Sequence, residues 1–258
     1  MAEKDGVQSV ARALSLLRLM AQGDGGTRLS DLARAAGLPV STAHRLLTTL
    51  EQQGFAQFDP AAAAWHVGRD AFSTGMAYGR RLSFVAPALP LLRRLRDATR
   101  ETANLGILDD DHLVTVSQVE SREIRRALSP PGRRVPVFSS AMGKAILATW
   151  RDEDILALAD RAGLPPLTSK SLRTREAALA DIERTRARGW ALDDEEFNLG
   201  MRCLAAVVWS PQGEAACAIS ISGAAARLTP DRLEPLGDSV AQAADALTAL
   251  LGGAPPRD

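Results

Sequence analysis

An α+β fold carrying a helix-turn-helix is predicted for this chain by three observations. Residues Leu29–Leu50 read as two helices about a glycine turn. Two short β-like segments follow them, which makes a wing. Beyond residue 83, strand and helix patterns alternate in a way that suits an antiparallel sheet covered by helices.

The chain in order supports each element. Val7, Val10, Ala11, Leu14 and Leu17 recur at helical spacing, which predicts an amphipathic helix over 7–21. Leu16, Leu19 and Met20 widen its apolar arc, as a dimer partner or full enclosure would require. Gly23–Gly26 reads as a loop. Ser30 is placed to cap a short helix with Leu32, Ala33 and Ala36 inward, and Gly37 to end it. Pro39 suits the first position of a second helix. There Ala43, Leu46, Leu47 and Leu50 form a buried stripe. Ser41, His44, Arg45 and Thr48 repeat that spacing about 200° round the helix. Short hydroxyls, an imidazole and a guanidinium on one outer face match the chemistry of a helix in the major groove. Ser41, Thr42, His44, Arg45 and Thr48 are the candidate DNA contacts. A solvated helical hairpin is the plain alternative.

Phe55–Phe58 and Trp65–Val67 predict the wing hairpin. Its tip, Ala61–Ala64, has no Lys or Arg, so Phe55 and Trp65 are expected to cover the helices rather than reach phosphate. Residues 69–82 predict a linker helix, with domains at 1–68 and 83–258 on either side. Pro87 and Pro90 mark the start of a helix to about Thr102, with Leu89, Leu92 and Leu95 inward. Strands over 102–108 and 112–119 flank Asp109-Asp110-Asp111. That run lacks calcium-loop spacing and reads as a turn.

Ser139–Ala148 predicts a helix with serine caps. Gly143-Lys144 does not make a phosphate loop, since Phe138 and Ala145 stand where glycine and a hydroxyl residue belong. What remains is a helix start whose free N–H groups suit an anion, or a plain capped helix. Helices at 152–161 and 175–188 lead to the acidic run Asp193–Glu196, a set of bases or a solvated turn. Strands at 202–209 and 214–222 meet at Ser210–Gly213. Ser220 and Ser222 share one strand face, and Cys203 is a candidate for the same layer. A helix over 230–251 and a disordered tail from Gly252 complete the chain.

Composition bounds the partners. The chain has 31 basic and 31 acidic residues, and its first 80 carry a net charge of +1. Such weak attraction to phosphate implies at least two copies on a specific site. No run of roughly 18 apolar residues predicts a membrane span. The polar N-terminus and the two distant cysteines, Cys203 and Cys217, point to a reduced, cytoplasmic protein without a metal site. None of the three histidines, His44, His66 and His112, falls within 139–222, so an enzyme would need His112 brought close by folding or the carboxylates of Asp193–Glu196 as its base. A binding pocket needs only donors and a closed cavity. The competing expectation is an α+β enzyme or sensor whose helix-turn-helix serves association.

Over about residues 7–250 the chain resembles IclR-type transcriptional regulators. The resemblance is carried by Leu29–Leu50, by Ser140-Ala-Met-Gly-Lys-Ala, by Asp193-Asp-Glu-Glu-Phe-Asn-Leu-Gly-Met-Arg-Cys-Leu-Ala-Ala, and by Ala218-Ile-Ser-Ile-Ser-Gly. It implies a winged N-terminal domain, a linker helix and a GAF-like effector domain of six or so strands. It also implies dimers that pair into tetramers, palindromic double-stranded operators and a small organic acid as effector, with no cofactor. A repressor is the expected role. The family's pocket positions fall on Ala141, Met142, Asp193, Cys203, Ser220 and Ser222. Three positions depart from the family's habit: Val40 where a basic residue is usual, the uncharged tip Ala61–Ala64, and Ala141 where glycine or another small residue is common. In such a pocket Asp193 is awkward beside an anion. It is either protonated or accepts from a ligand hydroxyl or hydrated carbonyl, which suggests a 2-oxo or hydroxy acid. The plain alternative for the serines is that they satisfy sheet-edge backbone.

Overall fold

The computed structural model describes residues 6–23, 25–79, 81–121 and 130–256. Two compact units divide the chain, Met1–Leu82 and Ser83–Asp258.

The first unit builds its core from three helices and a hairpin. Helix α1 spans Gln8–Met20, α2 Leu29–Ala35 and α3 Val40–Gln52. Leu16, Met20, Leu32, Ala33, Ala43, Leu47, Ala56 and Trp65 form one buried cluster. The α3 stripe is therefore inward as its spacing requires, and Gly37, at φ +62°, supplies the left-handed turn between α2 and α3.

Two local expectations fail here. Ser30 does not cap α2: Arg28 holds that position with no side-chain cap bond, and Ser30 already lies inside the helix. Pro39 likewise sits one residue before α3, its carbonyl accepting from the N–H groups of Thr42 and Ala43. On α1 the apolar arc divides. Leu16 and Met20 are buried, with Leu17 and Leu19 packed beside them, whereas Val7, Val10 and Leu14 are exposed. Helical spacing defines a stripe but cannot choose between two stripes on the same helix.

Strands β1 (Ala56–Asp59) and β2 (Ala64–Val67) form the hairpin. Trp65 is buried against the helices, and Thr27 adds a two-bond bridge to its backbone. Helix α4 (Arg69–Gly79) has no buried residue and ends before the expected residue 82. Of the loop 23–26, Asp24 lies outside the described residues, as does Arg80 of the expected linker helix.

The second unit opens with α5 (Val85–Thr99), which buries Ala88, Leu91, Leu92 and Leu95. Among the described residues six strands then form one antiparallel sheet in the order β5-β4-β3-β8-β7-β6. These are β3 (Thr102–Asp109), β4 (His112–Val119), β5 (Arg134–Pro136), β6 (Ala191–Asp194), β7 (Met201–Trp209) and β8 (Ala215–Ala224). The short strands β5 and β6 carry too little alternation to be read in advance. A 3₁₀ turn, Val137–Ser139, leads into α6 (Ala141–Leu147), and every residue of α6 is buried. Helices α7 (Asp152–Ala162) and α8 (Arg175–Arg188) pack a second cluster around Ile155, Leu158 and Ile182. Helix α9 spans Pro230–Leu250.

Two glycines let α6 lie close to its neighbours. A Cβ on Gly143 would stand 2.3 Å from the Val137 carbonyl oxygen, and one on Gly106 would meet Met142 at 3.0 Å. Gly253 donates to the Thr248 carbonyl and Pro256 lies beside Gly213 at the β7–β8 turn. Arg257 and Asp258 lie outside the described residues.

Candidate functional site

Helix α3 presents its polar face from the first unit. Ser41, His44 and Arg45 are exposed, and Thr42 and Thr48 are half-buried. Thr42, His44, Arg45 and Thr48 line one open cleft with Ser9. Among the described residues the Arg45 side chain has no ion pair or hydrogen-bond partner, while its carbonyl accepts from Thr49 Oγ1. The His44 ring meets Trp65 of the wing edge-on at 6.5 Å. Val40 opens the helix with an exposed apolar side chain.

The second unit encloses a cavity of about 40 Å³ between the sheet and α6. Ala141, Met142, Asp193, Cys203, Ser220 and Ser222 all line it. Strand register brings them together. Asp193 pairs with Cys203, Cys203 with Ser222, and Ala205 with Ser220. Residues two apart on one strand share a face, so all of these point toward α6. Ser140 caps that helix by accepting from the Gly143 N–H at 3.3 Å. Ala141 and Met142, in the first turn, have N–H groups that no helical carbonyl reaches.

Sequence reasoning missed several wall residues, among them Asn104, Leu113, Thr115 and Phe197. Asn104 pairs with Ser220 across β3 and β8. Its Nδ2 donates to Ser220 Oγ at 3.1 Å and Ser222 Oγ at 3.3 Å, and its Oδ1 accepts from Gln118 Nε2 at 2.8 Å. The serines are thus held by a side chain, not by sheet-edge backbone. Thr115 Oγ1 is buried with no hydrogen-bond partner among the described residues. A lone asparagine amid Thr102–Ile107 was the available signal, but its partner strand was not readable without the register.

The acidic run is a paired cluster in which Asp193 and Glu196 are buried. Each carboxylate has its own partner. Asp193 Oδ1 accepts from the N–H groups of Glu196 (2.7 Å) and Phe197 (3.4 Å). Asp194 takes Arg202 Nε at 2.5 Å, and Glu195 takes Lys170 Nζ and the Gly200 N–H. Glu196 accepts Lys144 Nζ at 2.8 Å on both oxygens, and Asp181 pairs with the same nitrogen at 2.7 Å. Lys144 is wholly buried. The lysine dismissed as a phosphate binder is the hub of a buried ion cluster.

Electrostatics follow from that cluster. Burial opposes charge on Lys144, but Glu196, Asp181 and Asp193 outweigh it and hold its pKa above the ordinary lysine value. Burial, aided by the negative charge of Glu196, pushes Asp193 up to about 7, with Lys144 and the two N–H groups pulling the other way. Burial and then Asp193 push the Cys203 thiol well up, which favours its neutral form. Among the described residues no histidine lines the cavity. His112 is bound to Asp111 at 2.5 Å instead.

Comparison with known proteins places both units. Residues 9–60 match the IclR helix-turn-helix domain, and residues 76–249 the bacterial transcriptional regulator IclR C-terminal domain. The chain is 42% identical to the HTH-type transcriptional regulator BhcR of Paracoccus denitrificans over 99% of its length and 91% of that protein. It is 39% identical to the transcriptional repressor IclR of Escherichia coli over 96% of its length and 91% of that protein. A solved structure of an IclR homolog complexed with 4-hydroxybenzoate, from Microbacterium hydrocarbonoxydans, is similar in fold at TM-score 0.80 and 20% identity, over 95% of this chain and 99% of that one. No helix among the described residues is long and apolar enough to cross a membrane.

Proposed function

This chain belongs to the IclR family of bacterial transcriptional regulators, and from that premise we propose that it is an effector-controlled repressor. Its α3 reads a palindromic operator, and a small 2-oxo or hydroxy acid binds in the cavity beneath α6. The observation that carries the reading is the cavity itself: six pocket positions from four separate elements converge on one space of about 40 Å³. At ~10–15 Å³ per water position, that space holds roughly three waters. A space of that size suits a small acid. The carboxylate faces the first N–H groups of α6 at Ala141 and Met142, and Ser220 and Ser222 meet the ligand from the sheet. Asp193 enters protonated or as an acceptor for a ligand hydroxyl.

On the DNA side, Ser41, Thr42, His44, Arg45 and Thr48 form the reading face, with Arg45 the strongest base-contact candidate. Val40, exposed at the helix start, suits a thymine methyl in place of the basic contact usual there. The near-neutral first unit calls for a dimer, since one copy gains little from phosphate. Repression is supported by the names of the relatives, the E. coli protein among them.

A gel shift on the DNA upstream of the chain's own gene, with and without a panel of two- to four-carbon acids, tests the reading. A shifted complex whose stability changes with one small oxo or hydroxy acid is the expected result. Operator binding that no acid of the panel alters would overturn the effector assignment.

A further inference from the structure

We infer that Asn104 is a positioning residue that fixes the hydrogen-bonding sense of the sheet wall of the cavity, so that the wall of Ser220 and Ser222 accepts ligand acceptors and rejects ligand donors. The inference rests on the effector reading above and deepens it. An amide NH2 has two protons and a hydroxyl has one. The Asn104 amide spends its two on Ser220 Oγ and Ser222 Oγ, at 3.1 and 3.3 Å, with the Thr102 carbonyl peripheral at 3.5 Å. Each serine therefore receives a proton on its lone pairs and keeps its own. Among the described residues neither hydroxyl donates to a protein acceptor. Both line the cavity, so both protons are available to whatever occupies it.

The amide can do this in only one of its two orientations, and Gln118 selects it. Gln118 Nε2 donates to Asn104 Oδ1 at 2.8 Å, holding the oxygen away from the serines. Register makes that contact available. The irregularity between Leu105 and Gly106 leaves Val116 unpaired, so that Gln118 stands opposite Asn104 while Thr115 stands opposite Gly106. With the amide reversed, its carbonyl would take both hydroxyl protons and the serines would offer lone pairs instead. Thr115 Oγ1, the third hydroxyl of this wall, is buried without a partner and adds to the unmet demand. A carboxylate or oxo oxygen satisfies this wall; an amide NH2 of the same shape does not.

Calorimetry with two probes of matched shape, pyruvate and pyruvamide, tests the inference. The measured quantity is the ratio of their dissociation constants in wild type, Asn104→Leu and Gln118→Leu. Both variants are neutral, so the difference in charge between the probes cancels when ratios are compared. Wild type is expected to favour pyruvate at least tenfold, and Asn104→Leu to lower that ratio by at least tenfold because its serines are free to turn. Gln118→Leu, at a less buried position, should move the ratio the same way by a smaller factor and decides the matter if Asn104→Leu fails to fold. Folded variants that bind operator and keep the wild-type ratio would overturn the role of Asn104 alone. Wild type binding neither probe would instead overturn the small oxo-acid reading itself.

Discussion

Asp193 and Lys144 sit two helices, α7 and α8, apart in sequence yet influence each other's charge. For Asp193 the pKa is raised from the ordinary carboxylate value to about 7. A carboxyl raised in the folded state holds its proton there while the unfolded chain has lost it, so its contribution to stability falls as pH climbs from about 4 to about 7. Asp193→Asn keeps the oxygen that accepts from Glu196 and Phe197 and removes the buried charge. The variant should therefore melt higher than wild type at pH 8 and the same at pH 4, as thermal unfolding would reveal. Binding has the matching sign: an anion beside Asp193 favours its protonated form, so effector affinity should fall above pH 7 in wild type and stay level in Asp193→Asn. A flat wild-type profile would remove Asp193 from the ligand's surroundings. Lys144 answers to a different rule. Lys144→Met leaves Glu196 buried without its cation and Asp181 with only Arg184, which should cost about 3–5 kcal/mol in urea unfolding. A loss below about 1 kcal/mol would mean that water reaches the cluster.

In the proposed reading helix α3 is the recognition element, because its two faces are separated cleanly. Ala43 and Leu47 are buried, while Arg45 has no protein partner among the described residues that would compete with a base. Arg45→Ala should weaken operator binding by roughly 1–3 kcal/mol without changing effector affinity, which belongs to the other unit. Titrating both ligands on the same preparation checks this, and equal operator affinity would exclude Arg45 from the contact surface. The wing contributes by support. Trp65 is 3% exposed and meets both the helical core and the His44 ring. Trp65→Ala is expected to cost about 3–5 kcal/mol of stability, as for other buried aromatic truncations.

Assembly belongs to the whole molecule. Val7, Val10 and Leu14 follow one face of α1 and are 67%, 55% and 45% exposed, an apolar line the first unit does not cover. Exposed apolar patches of this kind mark contact surfaces, and under the proposed dimeric reading the expected occupant is a second copy of the chain. The double variant Val10→Glu with Leu14→Glu should therefore weaken operator binding by at least tenfold while leaving effector affinity intact. Sedimentation of the isolated first unit, with and without a two-half-site operator, would show whether pairing is lost. Unaltered operator affinity would place the pairing surface elsewhere.

Periodicity and punctuation were enough to read the two-helix motif, its buried stripe, the wing, the β3–β4 and β7–β8 hairpins and the long α9, because these depend on residues near one another in the chain. The alternation at Ser220 and Ser222, and the serine cap of α6, were legible for the same reason. Spacing alone gave α1 two apolar stripes and left open which is buried, since a neighbour is needed to choose between them. It misjudged Ser30, because one residue of helix start moves a cap into the interior. Register between distant strands was beyond it. Asn104 reaches the serines only because β3 lies beside β8, 116 residues away in sequence, and Lys144 finds Glu196 across 52. Sequence by itself determined which segments are helices and which face of α3 is polar, through local geometry and hydrophobic period. Only the tertiary structure decided which polar groups meet, because burial raises the cost of an unpaired charge or hydroxyl so far that its partner, wherever it lies in the chain, is fixed by packing.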